Sequence, residues 1–180
     1  MATVSVGFIS LGCSKNLVDS QVMAGYLKSG QIALAPSPEE ADVILVNTCA
    51  FIEAAREEAA EAILSACEHK KTGGCRAVVV TGCMVQRYRE RLGKAFPDVD
   101  AFLGIDELEQ VSDVVRRVSE GKRVGVVAEA GGPVKVYTPK YPTLLFTGGP
   151  FAYVKIADGC NHRCARSEER RVGKECRSRW

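Results

Sequence analysis

The sequence lacks the features that would place it in a membrane or outside a cell. No apolar run approaches the roughly 18 residues needed to cross a bilayer, and residues 1–10 carry no basic stretch ahead of their apolar segment. It also lacks the glycine-rich nucleotide signatures. Neither GxGxxG nor a Walker pattern follows the first apolar segment, which argues against a nucleotide-binding α/β domain. Net charge is nearly absent too. Arg166–Trp180 holds six basic and three acidic residues, and the rest of the chain holds 18 basic against 19 acidic. A neutral body offers no footprint for nucleic acid. The expectation is a cytoplasmic globular protein, with 46% apolar residues among 180, enough for a real core.

Cysteine, by contrast, is plentiful: there are eight. A disulfide framework belongs mainly to small secreted domains, so metal ligands and core thiols are the better readings, and position must separate them. Apolar segments and helical spacings alternate along the chain. Thr3–Ser10 reads as a strand and Leu17–Ser29 as a helix. Asp42–Asn47, with Val43, Ile44, Leu45 and Val46, reads as a strand covered on both faces, followed by a helix over Glu53–His69. Ala77–Thr81 repeats the buried strand, Gln86–Phe96 reads as a charged helix, and Ala101–Leu103 with Glu107–Glu120 gives a further pair. Parallel neighbours need helical crossovers, so the expected fold is α/β with a mostly parallel, doubly wound sheet. Residues 121–149 lose periodicity and gather glycine and proline, as an interdomain connection would, and Phe151–Ala157 reads as a new strand.

Three cysteines recur in one setting: an apolar strand, a few small or polar residues, the cysteine, then a helix. They are Cys13, Cys49 and Cys83. In a parallel sheet the carboxyl ends of strands share one edge, where open α/β sheets build their sites, so these three should converge there. The following helices aim their amino ends at the same edge and favour anionic charge. Asn16 with Asp19 three residues on resembles a capping pair, and Gly12 and Gly82 allow close backbone approach. Three thiolates suit an iron-sulfur cluster with one iron left open, and zinc accepts the same ligands. Cys67 shares a stripe with Ile52, Ala59, Ile63 and Ala66 and is expected in the core. Cys75 precedes its strand and belongs to the opposite edge. His69 and the glutamates Glu53, Glu57, Glu58 and Glu61 read as solvated helix residues.

A second motif, Asp158-Gly159-Cys160-Asn161-His162-Arg163-Cys164, follows the strand at Phe151 and supplies the first half of a CxxxCxxC pattern. Together with Ser10-Leu11-Gly12-Cys13-Ser14-Lys15-Asn16-Leu17-Val18-Asp19-Ser20, Val46-Asn47-Thr48-Cys49 and Thr81-Gly82-Cys83, it resembles the RimO-type ribosomal protein methylthiotransferases of the radical S-adenosylmethionine superfamily. The Lys15–Asp19 run and the Asn161–Arg163 loop resemble the ribosomal branch more than the related transfer-RNA methylthiotransferases, which remain the same-chemistry alternative. A non-catalytic zinc or iron-sulfur module is the alternative from another class.

The resemblance implies two 4Fe-4S clusters. Cys13, Cys49 and Cys83 would hold an auxiliary cluster whose open iron carries the sulfur to be transferred. Cys160 and Cys164 would be two of three ligands to the cluster that binds and cleaves S-adenosyl-L-methionine. A methylthio group would replace hydrogen on the β-carbon of an aspartate in a small-subunit ribosomal protein, with an electron-donor protein as further partner. No side chain of this chain is assigned as a catalytic acid, base or nucleophile.

The implied organisation is a cluster domain over residues 1–125, a linker over 126–150, and the start of a radical S-adenosylmethionine barrel, with its first strand, over 151–165. After Cys164 the family continues with a small residue, an aromatic and a third cysteine, whereas this chain has Ala165, Arg166 and Ser167. Residues 166–180 resemble a translated sequencing adapter and are read as a non-native tail without a core. The chain is accordingly expected to be an amino-terminal fragment, inactive as it stands.

Overall fold

The computed structural model describes residues 4–127, 138, 140–146 and 150–155. Cys160, Cys164 and the tail at 166–180 lie outside the described residues, as does most of the 126–150 stretch.

Six parallel strands form one sheet: β1 (Ser5–Ser10), β2 (Ala33–Leu34), β3 (Val43–Thr48), β4 (Ala77–Gly82), β5 (Ala101–Leu103) and β6 (Gly125–Val127), in the order β2-β1-β3-β4-β5-β6. The helices are α1 (Ser14–Ser29), α2 (Glu53–Lys71), α3 (Cys83–Tyr88), α4 (Glu90–Ala95) and α5 (Val111–Ser119), with 3-10 turns at Pro38–Glu40 and Ile105–Gln110. The doubly wound α/β expectation is met. Every residue of β3 and β4 is buried, because helices cover both faces and leave no wet side to alternate with.

Two apolar layers sandwich the sheet. Val43, Leu45, Ala77 and Val79 meet Met23 and Leu27 of α1 and Val111, Val114 and Val118 of α5. On the other face Ile44, Val46, Val78 and Val80 meet Ile63 and Ala66 of α2, Val85 of α3 and Leu92 of α4. Cys67 is in this second layer, as expected of its stripe, but Ile52 is 53% exposed. Ile52 is the residue before the first turn of α2, so it has left the helical face its spacing implies. The glutamates Glu53, Glu57, Glu58 and Glu61 are exposed, in keeping with a wet helix face.

Several boundaries differ from the sequence expectation. Helix α1 starts at Ser14, not Leu17, which makes Cys13 its capping residue. The charged helix expected over Gln86–Phe96 is two short helices, α3 and α4, broken at Arg89 with φ of 46°. Helix α5 begins only at Val111, because Ile105–Gln110 forms the tighter 3-10 turn. Strands β2 and β6 were not foreseen, being two and three residues long and short of any readable alternation. The β5–α5–β6 crossover places α5 on the α1 face, while β3–β4 and β4–β5 advance in the same direction with their helices on the other face. It therefore has the opposite hand to them, against the usual right-handed rule.

Where it is described, the stretch expected as an interdomain connection lies against the sheet domain. Tyr141 packs edge-on against Tyr26, and its hydroxyl donates to Glu109 Oε1 at 3.0 Å. Leu144 N donates to Gln21 O at 2.9 Å, and the Phe146 ring meets Phe8. Residues 141–146 thus run along α1 from its carboxyl end towards its amino end. Of the strand expected over Phe151–Ala157, residues 151–155 are described and carry no sheet pairing.

Gly25 makes the seat for this strap. A Cβ there would lie 2.4 Å from the carbonyl carbon and oxygen of Pro142. Gly25→Ala should ordinarily gain about 1 kcal/mol from helix propensity. Here overpacking, at about 1–3 kcal/mol, is expected to outweigh that gain. Urea denaturation should show a net loss of stability; a gain near 1 kcal/mol would mean that the strap does not sit on α1.

Candidate metal centre at the carboxyl edge of the sheet

The three cysteine loops leave neighbouring strands in register. Ser10 lies beside Asn47, Asn47 beside Thr81, and Thr48 beside Gly82. Cys13, Cys49 and Cys83 follow within three residues of those positions, so they gather at one edge. The strand order also reverses between β1 and β3, since β1 leads to β2 on one side and β3 to β4 on the other. Such a switch point opens a crevice at the carboxyl ends of the strands, and the loops of Cys13 and Cys49 flank it.

One side chain organises this edge. Asn16 is 1% exposed, and its Nδ2 donates to Leu11 O and to Thr48 O, both at 2.9 Å. Its Oδ1 lies 3.9 Å from Cys83 Sγ, within reach of the thiol as donor. A single amide therefore touches the loop before Cys13, the residue before Cys49, and Cys83 itself. Asn47 reinforces it from below: its Nδ2 donates to Asn16 O at 2.8 Å and to Ser20 Oγ at 2.9 Å. Thr48 Oγ1 donates to Thr81 O at 2.6 Å, and Arg87 donates to Ala50 O at 2.9 Å, holding the chain on the far side of Cys49. The expectation that Asn16 and Asp19 cap α1 is corrected. Asn16 is tied to the strand-end loops instead, and Asp19 pairs with Lys155 at 2.8 Å.

Both expected glycines are sterically required. At Gly12, φ is 93° and a Cβ would come within 2.7 Å of Cys49 Cβ; at Gly82, φ is 97° and a Cβ would lie 2.4 Å from Asn47 Oδ1 and Thr48 O. The loops are thus pressed together until no side chain fits between them.

The thiols differ in access. Cys13 is exposed, Cys83 half-buried and Cys49 buried. Among the described residues no three His, Cys, Asp or Glu side chains are grouped tightly enough to hold one metal ion. The three thiols share an edge without forming a closed single-ion site. Cys67 and Cys75 stand apart in the α2 layer, and burial pushes both thiols above their ordinary range, which disfavours the thiolate a metal needs. Cys75 also lines a cavity of about 250 Å³ at the opposite edge, with Ser5, Asp42 and Arg76. Cys160 and Cys164 lie outside the described residues. Sequence reasoning passed over the bridging role of Asn16 and the contact of Arg87; the signal available was a pair of amides, Asn16 and Asn47, embedded in apolar segments.

Removing the Asn16 amide leaves two carbonyls without their donor, at a cost of about 1–3 kcal/mol. Asn16→Ala is expected to destabilise by that amount. Asn16→Asp should cost at least as much, because a carboxylate oxygen then faces both carbonyls. Chemical denaturation of the two variants checks this, and a change under about 0.5 kcal/mol in either would show that the amide does not hold the loops.

Comparison with known proteins gives the family. The profile of the family described as Uncharacterized protein family UPF0004 matches residues 5–104. Ribosomal protein uS12 methylthiotransferase RimO of Caldicellulosiruptor saccharolyticus is 44% identical over 162 residues, 90% of this chain and 36% of the relative. The RimO proteins of Symbiobacterium thermophilum and Syntrophus aciditrophicus are also 44% identical, over 90% and 99% of this chain and 33% and 40% of their own length. The chain spans about a third to two fifths of the length of these relatives. No helix among the described residues is long and apolar enough to cross a membrane. The chain belongs to the UPF0004 family, and over nearly its whole length it is similar to RimO-type methylthiotransferases.

Proposed function

We propose that this chain is the cluster-bearing amino-terminal region of an enzyme that transfers a methylthio group to ribosomal protein uS12, at the β-carbon of an aspartate. The observation that carries the reading is the gathering of Cys13, Cys49 and Cys83 at one sheet edge, with Asn16 touching all three loops. The name shared by the relatives supports the reaction class and the ribosomal substrate.

The residues fit an iron-sulfur cluster by the chemistry of their donor set. The strand register brings three thiols from neighbouring loops to this edge, and such a set leaves one iron of a 4Fe-4S cluster for an outside ligand. Cys13, Cys49 and Cys83 would hold the auxiliary cluster. Cys160 and Cys164 would contribute to the second, with S-adenosyl-L-methionine and an external electron donor. The clusters and S-adenosyl-L-methionine would supply the radical chemistry and the transferable sulfur and methyl groups.

The chain's own part is placement. The exposed Cys13 leaves the edge open to an incoming partner, while the buried Cys49 and the tight contact at Gly12 fix the depth of the site. Cys13 is the capping residue of the 16-residue α1, whose amino end favours the negative charge of thiolate ligands.

Anaerobic reconstitution with iron and sulfide tests the assignment. The chain should take up about four irons at this edge, as one 4Fe-4S cluster requires. Alanine at Cys13, Cys49 or Cys83 should each abolish that cluster, and alanine at Cys67 or Cys75 should not. Stoichiometric zinc with no iron-sulfur chromophore would favour a structural metal module, and a cluster that survives loss of any one of the three thiols would refute the ligand set.

A further inference from the structure

The register row nearest the carboxyl edge is polar on the α1 face of the sheet. Ser10, Asn47 and Thr81 lie side by side on β1, β3 and β4, and each precedes one of the three cysteines by two or three residues. Leu45 and Val79, two residues before Asn47 and Thr81, both belong to the layer formed with α1 and α5, so strand alternation turns Asn47 and Thr81 to that same face. Part of the row is already joined. Ser10 Oγ lies 2.9 Å from Ser20 Oγ of α1, and Asn47 Nδ2 donates to Ser20 Oγ at 2.9 Å and to Asn16 O at 2.8 Å. These bonds fix the amide's orientation, because the reverse would set an oxygen against the Asn16 carbonyl. Asn47 Oδ1 is thereby turned to β4, where it stands 2.4 Å from the point that a Gly82 Cβ would occupy.

The row breaks between Asn47 and Thr81. Both residues are 0% exposed, yet Asn47 Oδ1 and Thr81 Oγ1 have no hydrogen-bond partner among the described residues. Buried oxygens of this kind are ordinarily met by protein or by an ordered water. The two atoms make no direct bond, and neighbouring strands are about 4.8 Å apart, a separation that one water oxygen bridges with two bonds of about 2.8 Å. Ser10, Ser20, Asn47 and Thr81 carry no charge to offset the burial of an ion, and Asn47 Oδ1 requires a donor.

We propose that one ordered water binds between Asn47 Oδ1 and Thr81 Oγ1. It donates to the amide oxygen and closes a hydrogen-bonded row that runs from Ser10 through Ser20, Asn47 and the water to Thr81. The row ties together the three strand ends from which the cysteine loops leave, with Asn47 and Thr81 as positioning residues. Its value to a metal centre rests on the cluster reading above. The water site itself does not.

The test uses the full 180-residue chain without metal. Relaxation dispersion of the water oxygen nucleus counts the waters that a protein holds for longer than it takes to tumble. Thr81→Val keeps the shape of the side chain and removes its hydroxyl, so the count should fall by one water. Thr81→Ser keeps the hydroxyl and should keep the parent count. An unchanged count in Thr81→Val, or the same loss in Thr81→Ser, would overturn the assignment.

A second measurement needs no substitution. A crystal structure of the parent chain should show a water oxygen within about 3.2 Å of both Asn47 Oδ1 and Thr81 Oγ1; a direct bond between the two side chains, or no water reaching both, would also overturn it. Neither readout involves iron, so failure of the chain to bind a cluster would leave both outcomes as they are.

Discussion

The carboxyl edge of the sheet depends on one buried amide. Asn16 sits in the first turn of α1 with its side chain turned away from the helix axis, towards loops that leave two other strands. Its amide hydrogens meet Leu11 O, just past β1, and Thr48 O, at the end of β3. An amide buried among apolar strands is costly unless satisfied, and these carbonyls are costly unless donated to, so each side of the contact requires the other. The early start of α1 follows from it, since Asn16 reaches Leu11 O and Thr48 O only if the helix is already formed there. So does the position of Cys13 as the capping residue.

The parallel register supplies the rest. Because β1, β3 and β4 end level with one another, three loops of similar length must deliver their cysteines to one place. The glycines at 12 and 82 then allow the loops to close to a separation that no side chain would permit. The two ends of the sheet have different chemistry. The amino end carries Asp42, which accepts from Ser5 and pairs with Arg76, whereas at the carboxyl end the three cysteine loops meet the amides of Asn16 and Asn47.

Much of this was legible in the sequence, for identifiable reasons. Val43–Val46 and Val78–Val80 are unbroken apolar runs, so β3 and β4 could be placed, and with them the edge on which Cys49 and Cys83 lie. Cys67 was separable from the ligand set by its helical spacing with Ala59, Ile63 and Ala66. The failures are tertiary in origin. Asn16 and Asp19 have the spacing of a capping pair, and only contacts with Thr48 and Lys155, 32 and 136 residues away, give them their actual roles. Arg89 breaks a helix that the charge pattern carries straight through. The contacts of the strap at 141–146 were not readable either, because its partners lie on α1, β1 and the turn before α5, and a segment anchored residue by residue to other elements has no period of its own.

We propose above that Cys13, Cys49 and Cys83 ligate one cluster at the edge held by Asn16. Anomalous diffraction at the iron edge, from crystals of the anaerobically reconstituted chain, tests it most directly. A compact group of irons should appear beside the ends of β1, β3 and β4, bonded by those three sulfurs, with one iron bearing no protein ligand and none near Cys67 or Cys75. Iron bound through only two of the three sulfurs, a single tetrahedral ion, or metal at the buried Cys67 or Cys75 would rule this out.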